Sequence, residues 1–221
     1  MKTVVVVHTG PATVQPLKQQ FQELLPDVRV VNIMDDSLLN DVMAAGHLTE
    51  AVSSRILSYM QQGESMGAVA LLNACSSVGE AASAARTVIG VPIIKIDDTM
   101  TERAITMGRR IGVVATVKTT LEPTVRLIRA KAAAAGKEIE ITEALAEGAF
   151  QALLDGKSEQ HDEIVKRTIV ALADNVDVIV LAQVSMARLI PQLADLKVPV
   201  MSSPRSGVEA VRDALAGMAI A

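Results

Sequence analysis

One pattern met twice constrains the fold more than any other feature of this chain. RIGVVAT (110–116) repeats the character of TVVVVHT (3–9), DVIVLAQVSMARL (177–189) that of AVALLNACSSVGE (68–80), and KVPVMSSPRSGVEAV (197–211) that of GVPIIKIDDTMTERA (90–104). Each partner lies roughly 107 to 109 positions downstream of its mate, a period too long for a solenoid and suited to a duplicated two-domain enzyme. The expected boundaries are 1–98 for the first half, completed by a C-terminal helix at 205–221, and 99–204 for the second. No Gly/Pro/Ser-rich linker separates the halves, and KAAAAG (131–136) reads as a helix end with its glycine stop.

Within each half, short β-branched runs alternate with helical spacing. TVVVV (3–7), VRVVNI (28–33), AVALLN (68–73) and VPIIKI (91–96) read as buried strands. Leu17, Phe21 and Leu24 mark one helix, and Leu48, Val52, Ile56 and Tyr59 another. Apolar strands separated by helices imply a parallel sheet covered on both faces. The expected fold is therefore α/β, with two similar Rossmann-like (flavodoxin-like) halves. Each carries a four-stranded parallel sheet with flanking helices, and an active-site cleft is expected between the halves.

Composition narrows the function. Half of the residues are hydrophobic, with two Phe, one Tyr and no Trp, so aliphatic residues and Met must build the core. The net charge is −4 and no Lys/Arg run stands out, which argues against nucleic acid as a partner. The N-terminal valine run is too short for a signal or membrane segment, and a lone cysteine forms no intramolecular disulfide. A cytoplasmic protein is expected, with no membrane partner. The apolar surplus predicts a homo-oligomer.

Open α/β sheets bind ligands beyond the carboxyl ends of their strands. In the first half the residues there are His8, Thr9 and Gly10, then Asn73, Cys75, Ser76 and Ser77, then Asp97, Asp98 and Thr99. In the second they are Thr116, Lys118, Thr119 and Thr120, then Gln183, Val184, Ser185 and Met186, then Ser202, Ser203 and Arg205. Hydroxyls, amides and few charges suit a small anion held by side chains and helix N-terminal N–H groups.

Cys75 lies where strand gives way to helix, a place whose free N–H groups favour a thiolate. Its alternative is a small buried hydrophobe. His8 is either a ligand contact or a hydrogen-bonded structural residue. His47 reads as a helix-start residue and His161, among Glu159, Asp162 and Glu163, as part of a solvated face. Asp97 and Asp98 are either paired acid/base groups or a helix cap. No metal-ligand spacing, GxGxxG, Walker A or Gly-x-Ser-x-Gly pattern occurs, so neither metal nor cofactor is expected. The near absence of aromatics points to a compact aliphatic acid as substrate. Arg205 and Lys118 are the cations that could meet a second carboxylate.

The duplicated halves, the N-A-C-S-S-V-G segment (73–79) and the V-V-A-T-x-x-T-T segment (113–120) resemble the aspartate/glutamate/hydantoin racemase superfamily, and LAQVSMARL (181–189) falls at its second signature. The resemblance implies a cofactor-independent enzyme acting at the carbon α to a carboxylate. Two cysteines, one from each half, would move protons on opposite faces of the substrate. Cys75 matches the first. Asn73, Ser76 and Thr116 match positions that hold substrate carboxylate or amino groups, with Ser77, Thr119, Thr120, Ser185 and His8 as further substrate-binding candidates. The second cysteine falls at about Val184, or at Gln183 after a one-residue shift, and neither side chain moves protons at neutral pH. Three readings follow: a racemase or isomerase whose second proton carrier is another group (His8 or Asp98, with Ser185 a poor candidate), a one-cysteine decarboxylase or other lyase on a small carboxylate, and a non-catalytic small-acid binder.

Overall fold

The computed structural model describes residues 1–218. The described residues divide into two compact units, residues 1–98 with those from 204 onward, and residues 99–203. Residues 219–221, the end of the expected 205–221 helix, lie outside the described residues.

The first unit is built on β1 (Thr3–His8), β2 (Arg29–Met34), β3 (Ala70–Asn73) and β4 (Ile93–Lys95). All pair in parallel, in the order β2-β1-β3-β4. The connections are helical: α1 (Val14–Leu24), α2 (Ser37–Ala45), α3 (Glu50–Ser65) and α4 (Gly79–Ala85). Every residue of β1 and β3 is buried, as strands covered on both faces must be. Val5, Val7, Leu71 and Ile93 share a cluster with Leu38 and Val42 of α2, Val52, Ile56 and Met60 of α3, and Ala81, Ala82 and Ala85 of α4. The helix spacings read from the sequence hold there: Leu17 and Phe21 are buried in α1, and Leu48 and Tyr59 pack against the α3 cluster.

The second unit runs through α5 (Asp98–Met107), β5 (Arg110–Ala115), α6 (Lys118–Ala134), β6 (Glu140–Leu145), α7 (Ala149–Leu154), α8 (Ser158–Ala173), β7 (Val178–Leu181), a 3₁₀ segment over Val184–Leu193, and β8 (Val200–Ser202). Its sheet is again parallel, in the equivalent order β6-β5-β7-β8. One face packs on α5 and α6, the other on α8 and the 3₁₀ segment. A final helix, α9 (Ser203–Gly217), belongs to the first unit from Pro204 onward, burying Val208, Val211 and Leu215. The Lys2 ammonium donates to the Leu215 carbonyl at 3.0 Å.

Two expectations need correction. VRVVNI was expected to be a buried strand, but β2 is an edge strand with Arg29, Asn32 and Met34 exposed. The second unit's edge strand, β6, has Glu140, Thr142 and Glu143 among its residues, mostly turned to solvent, so it offers no apolar run to read. His161 is not on a solvated face. It is fully buried, one helical turn ahead of Val165 on the stripe of α8 that continues through Ile169 and Leu172. Its Nδ1 lies 2.8 Å from Asp162 Oδ1, and Arg188 joins Asp162 from the 3₁₀ segment at 2.7 Å.

Candidate active site around Cys75

The site is built where β1, β3 and β4 end. After Asn73, the Ala74 N–H donates to the Val7 carbonyl at 3.0 Å, which carries the chain one residue past the strand. Cys75 follows in extended conformation, φ −143° and ψ 123°, and a 3₁₀ turn over Ser76–Val78 leads into α4. Cys75 is the single free cysteine and is partly exposed. Its sulfur is hydrogen-bonded by the Thr9 hydroxyl, the Ser77 N–H and hydroxyl, and the Val78 N–H, which also donates to the Cys75 carbonyl at 3.4 Å.

Two effects compete at that sulfur. Burial pushes the thiol upward, and the four hydrogen bonds pull it down. Burial wins, so the thiol titrates above its ordinary range. The expected resting thiolate is thereby corrected. Cys75 rests as a thiol whose conjugate base already has donors aimed at it.

The neighbouring candidates have defined partners. Asn73 is fully buried, its Nδ2 donates to the Cys75 carbonyl at 2.8 Å, and its Oδ1 is buried with no hydrogen bond. Ser76 is buried and its hydroxyl meets the Asp97 carboxyl group. Ser77 is buried against the sulfur.

His8 is placed differently from expectation. It is fully buried, with Nδ1 2.6 Å from the Thr13 hydroxyl and Nε2 2.9 Å from Asn32 Oδ1. The Asn32 oxygen can only accept, so Nε2 carries the proton and Nδ1 accepts from Thr13. Both nitrogens are taken inside the fold, which corrects its assignment as a ligand contact. Burial holds its pKa below the ordinary value of 6.5, against the opposing Asn32 bond. A depressed histidine contributes stability that is present above pH 6.5 and lost as pH falls through the folded value. Urea unfolding between about pH 7.5 and 5.5 should therefore show stability declining on acidification. His8→Gln should flatten that slope; an unchanged slope would refute the assignment.

Asp98 is likewise committed elsewhere. Its Oδ2 accepts from Arg86 at 2.9 Å and its Oδ1 lies 3.4 Å from the buried Lys95 ammonium. Arg205 is paired with Glu23 at 2.6 Å and with Glu209 at 3.3 Å, so it does not stand ready for a second carboxylate.

The second unit repeats the architecture. The Ala182 N–H donates to the Val114 carbonyl at 2.9 Å, the counterpart of Ala74 and Val7. Gln183 then takes the place of Cys75, extended at φ −131° and ψ 138° ahead of its own 3₁₀ segment. The register therefore resolves the choice left by the sequence: Gln183, rather than Val184, is the equivalent of Cys75. Its Oε1 accepts from the Thr116 N–H at 2.6 Å and the Thr116 hydroxyl at 2.9 Å, as the Cys75 sulfur accepts from the Thr9 hydroxyl. Val184 is buried. Thr120 is buried, Thr119 keeps a buried hydroxyl without a hydrogen bond, and the Ser185 carbonyl accepts from Arg188 at 3.1 Å.

A family model described as Asp/Glu/Hydantoin racemase matches residues 4–211. The chain belongs to that family. Solved structures agree on the fold. Allantoin racemase from Klebsiella pneumoniae is 19% identical, with 98% of this chain and 88% of that one aligned at a TM-score of 0.73. Picrophilus torridus aspartate racemase is 15% identical, with 97% and 94% aligned at 0.74. The Gly74Cys mutant of arylmalonate decarboxylase is 20% identical, with 96% and 93% aligned at 0.63. No curated protein sequence matches the chain. Family membership supports a racemase-type activity.

Two residues of this site escaped the sequence motifs. Thr9 stood only among the strand-end residues, yet its hydroxyl reaches the sulfur. The duplication carried the signal, because Thr9 mirrors Thr116 in the paired strings. Asp97 is open in the sequence as an acid/base group or a helix cap; it is buried immediately ahead of α5, and its carboxyl group meets the Ser76 hydroxyl. Among the described residues no group of three or more His, Cys, Asp or Glu is placed to hold a metal, and no helix is long and apolar enough to cross a membrane.

Proposed function

We propose that the protein is a cofactor-independent enzyme that handles a proton at the carbon α to the carboxylate of a small aliphatic acid, as a racemase or isomerase, with Cys75 as acid/base. The observation that carries this reading is the sulfur itself, set beyond β3 among four donors. When the Cys75 S–H protonates an α-carbanion, a new C–H bond forms and the S–H electron pair remains on sulfur. The Thr9 and Ser77 hydroxyls and the Ser77 and Val78 N–H groups then stabilise the thiolate without reorganising. The reverse step returns the proton from carbon to sulfur. The enediolate also needs donors, and the amides after Cys75 and at Thr116 are already bonded to side chains. The buried Thr119 hydroxyl is a donor without a protein partner, and the Asn73 Oδ1 an acceptor suited to a substrate amino group.

A second reading, a one-cysteine decarboxylase or other lyase, is favoured by Gln183. An amide where the second thiol would stand neither gives nor takes a proton at neutral pH, and both His8 and Asp98 are engaged elsewhere. A resting thiol also suits one-sided protonation.

Incubation in D₂O with compact 2-amino acids, 2-hydroxy acids and alkylmalonates tests both readings. A racemase exchanges the α-hydrogen and yields both enantiomers. A decarboxylase releases CO₂ and leaves one labelled enantiomer. Binding without exchange or release would leave only the non-catalytic binder.

A further inference from the structure

Asp97 is 3% exposed at the end of β4, and nothing in the proton-transfer scheme uses it. Its carboxyl group meets the Ser76 hydroxyl. Ser76 opens the 3₁₀ turn, and the next two residues of that turn, Ser77 and Val78, send their N–H groups to the Cys75 sulfur. The Asp97 end of this linkage is fixed in place. The neighbouring Ile96 N–H donates to the Asn73 carbonyl at 3.0 Å. On α9, Gly207 approaches so closely that a Cβ would lie 2.8 Å from Ile96 Cγ1 and 3.0 Å from its carbonyl oxygen. Lys95 and Asp98 face Asp97 from the same strand end and the start of α5, with Arg86 of the segment after α4 on Asp98.

We propose that Asp97 is a positioning residue for Cys75: by holding the Ser76 hydroxyl it fixes the turn whose amides meet the sulfur. The role rests on Cys75 being the working group, but the geometry can be tested without turnover. Asp97 can influence the sulfur in two ways that differ in sign. As a negative charge it would disfavour the thiolate, so removing it would make the thiol more acidic. As an anchor it keeps donors on the sulfur, so removing it makes the thiol less acidic.

The test is iodoacetamide alkylation of the full-length chain across pH, in the absence of substrate. Cys75 is the sole cysteine, so the pH–rate profile reports its thiolate fraction directly. Asp97→Ala and Ser76→Ala should each leave about fivefold less thiolate at a given pH, the effect of one lost hydrogen bond. The double variant should lose no more than either alone. Asp97→Asn keeps an acceptor for Ser76 and should stay near wild type. More thiolate or no change in Asp97→Ala overturns the proposal, as does an additive double variant or an Asp97→Asn profile matching Asp97→Ala. Should Asp97→Ala fail to fold, Ser76→Ala decides: less thiolate supports the role and an unchanged profile ends it. Loss of turnover in Cys75→Ser tests the catalytic reading separately, so either idea can fail alone.

Discussion

Cys75→Ser is expected to lower turnover by about 10²–10⁴-fold, the usual contribution of a positioned acid or base, while ligand binding changes little. Serine preserves the hydrogen-bonding geometry: its oxygen can accept from Thr9, Ser77 and Val78 as the sulfur does. What it loses is acidity, since an alcohol releases its proton far less readily than a thiol even when burial has pushed that thiol upward. Circular dichroism and melting temperature should match wild type, which separates lost chemistry from lost fold. The pH profile gives the direction of proton transfer. If Cys75 acts as an acid, kcat/KM is highest while the thiol is protonated and falls as pH rises through its raised pKa. If it acts as a base, kcat/KM climbs through the same range. Unchanged turnover in Cys75→Ser would remove the sulfur from the mechanism and leave the pocket as a binding site.

The strands that frame this site were legible because physics left them no choice. β1, β3, β5 and β7 occupy inner positions of parallel sheets, and all but the first residue of β5 are buried, so they must be apolar runs. The edge strands carried a weaker signal. β2 looked buried because of its valines, and β6 went unread because its glutamates face solvent. The charged neighbours of His161 suggest a solvated face, although its spacings of four and eight residues to Val165 and Ile169 place it on the apolar stripe of α8. The same limit applies at the site. Strand-end logic located Cys75, Asn73 and Thr116, but protonation depends on desolvation, which sequence spacing does not encode. The paired strings leave Val184 or Gln183 opposite Cys75, and only the matching hydrogen bonds of Ala74 and Ala182 decide for Gln183. Tertiary contacts likewise decide that His8 is satisfied by Asn32 and Thr13, and that Asp97 rather than Asp98 reaches Ser76.

Gly108→Ala should be the most damaging of the smallest possible substitutions in the second unit. Gly108 joins α5 to β5, and a Cβ built there would lie 2.2 Å from Asp177 Cβ, with Asp177 Oδ2 at 3.0 Å and Cγ at 3.1 Å. A Cβ–Cβ clash cannot be relieved by turning a side chain, so backbone must move. Little slack is available. The Asp177 N–H donates to the Arg110 carbonyl at 2.7 Å, its Oδ2 accepts from the Arg109 and Arg110 N–H groups at 3.0 and 2.8 Å, and its Oδ1 accepts from the Arg110 guanidinium at 3.0 and 2.7 Å. The Arg110 N–H bond and then its side chain hold the Asp177 carboxyl below the usual carboxylate range, so the group sits there as an ionised acceptor. Displacing Asp177 disturbs these bonds together at the point where β5 and β7 begin their pairing. A destabilisation of about 3 kcal/mol is expected, the upper part of the range for overpacking. Asp177→Gly removes the atom that is struck. In the double variant Gly108→Ala/Asp177→Gly, the loss should therefore be smaller than the sum of the two single losses, by about 1 kcal/mol or more. Calorimetry of the three variants checks both numbers. A Gly108→Ala melting temperature within about 1 °C of wild type would show that the junction yields where its geometry says it cannot.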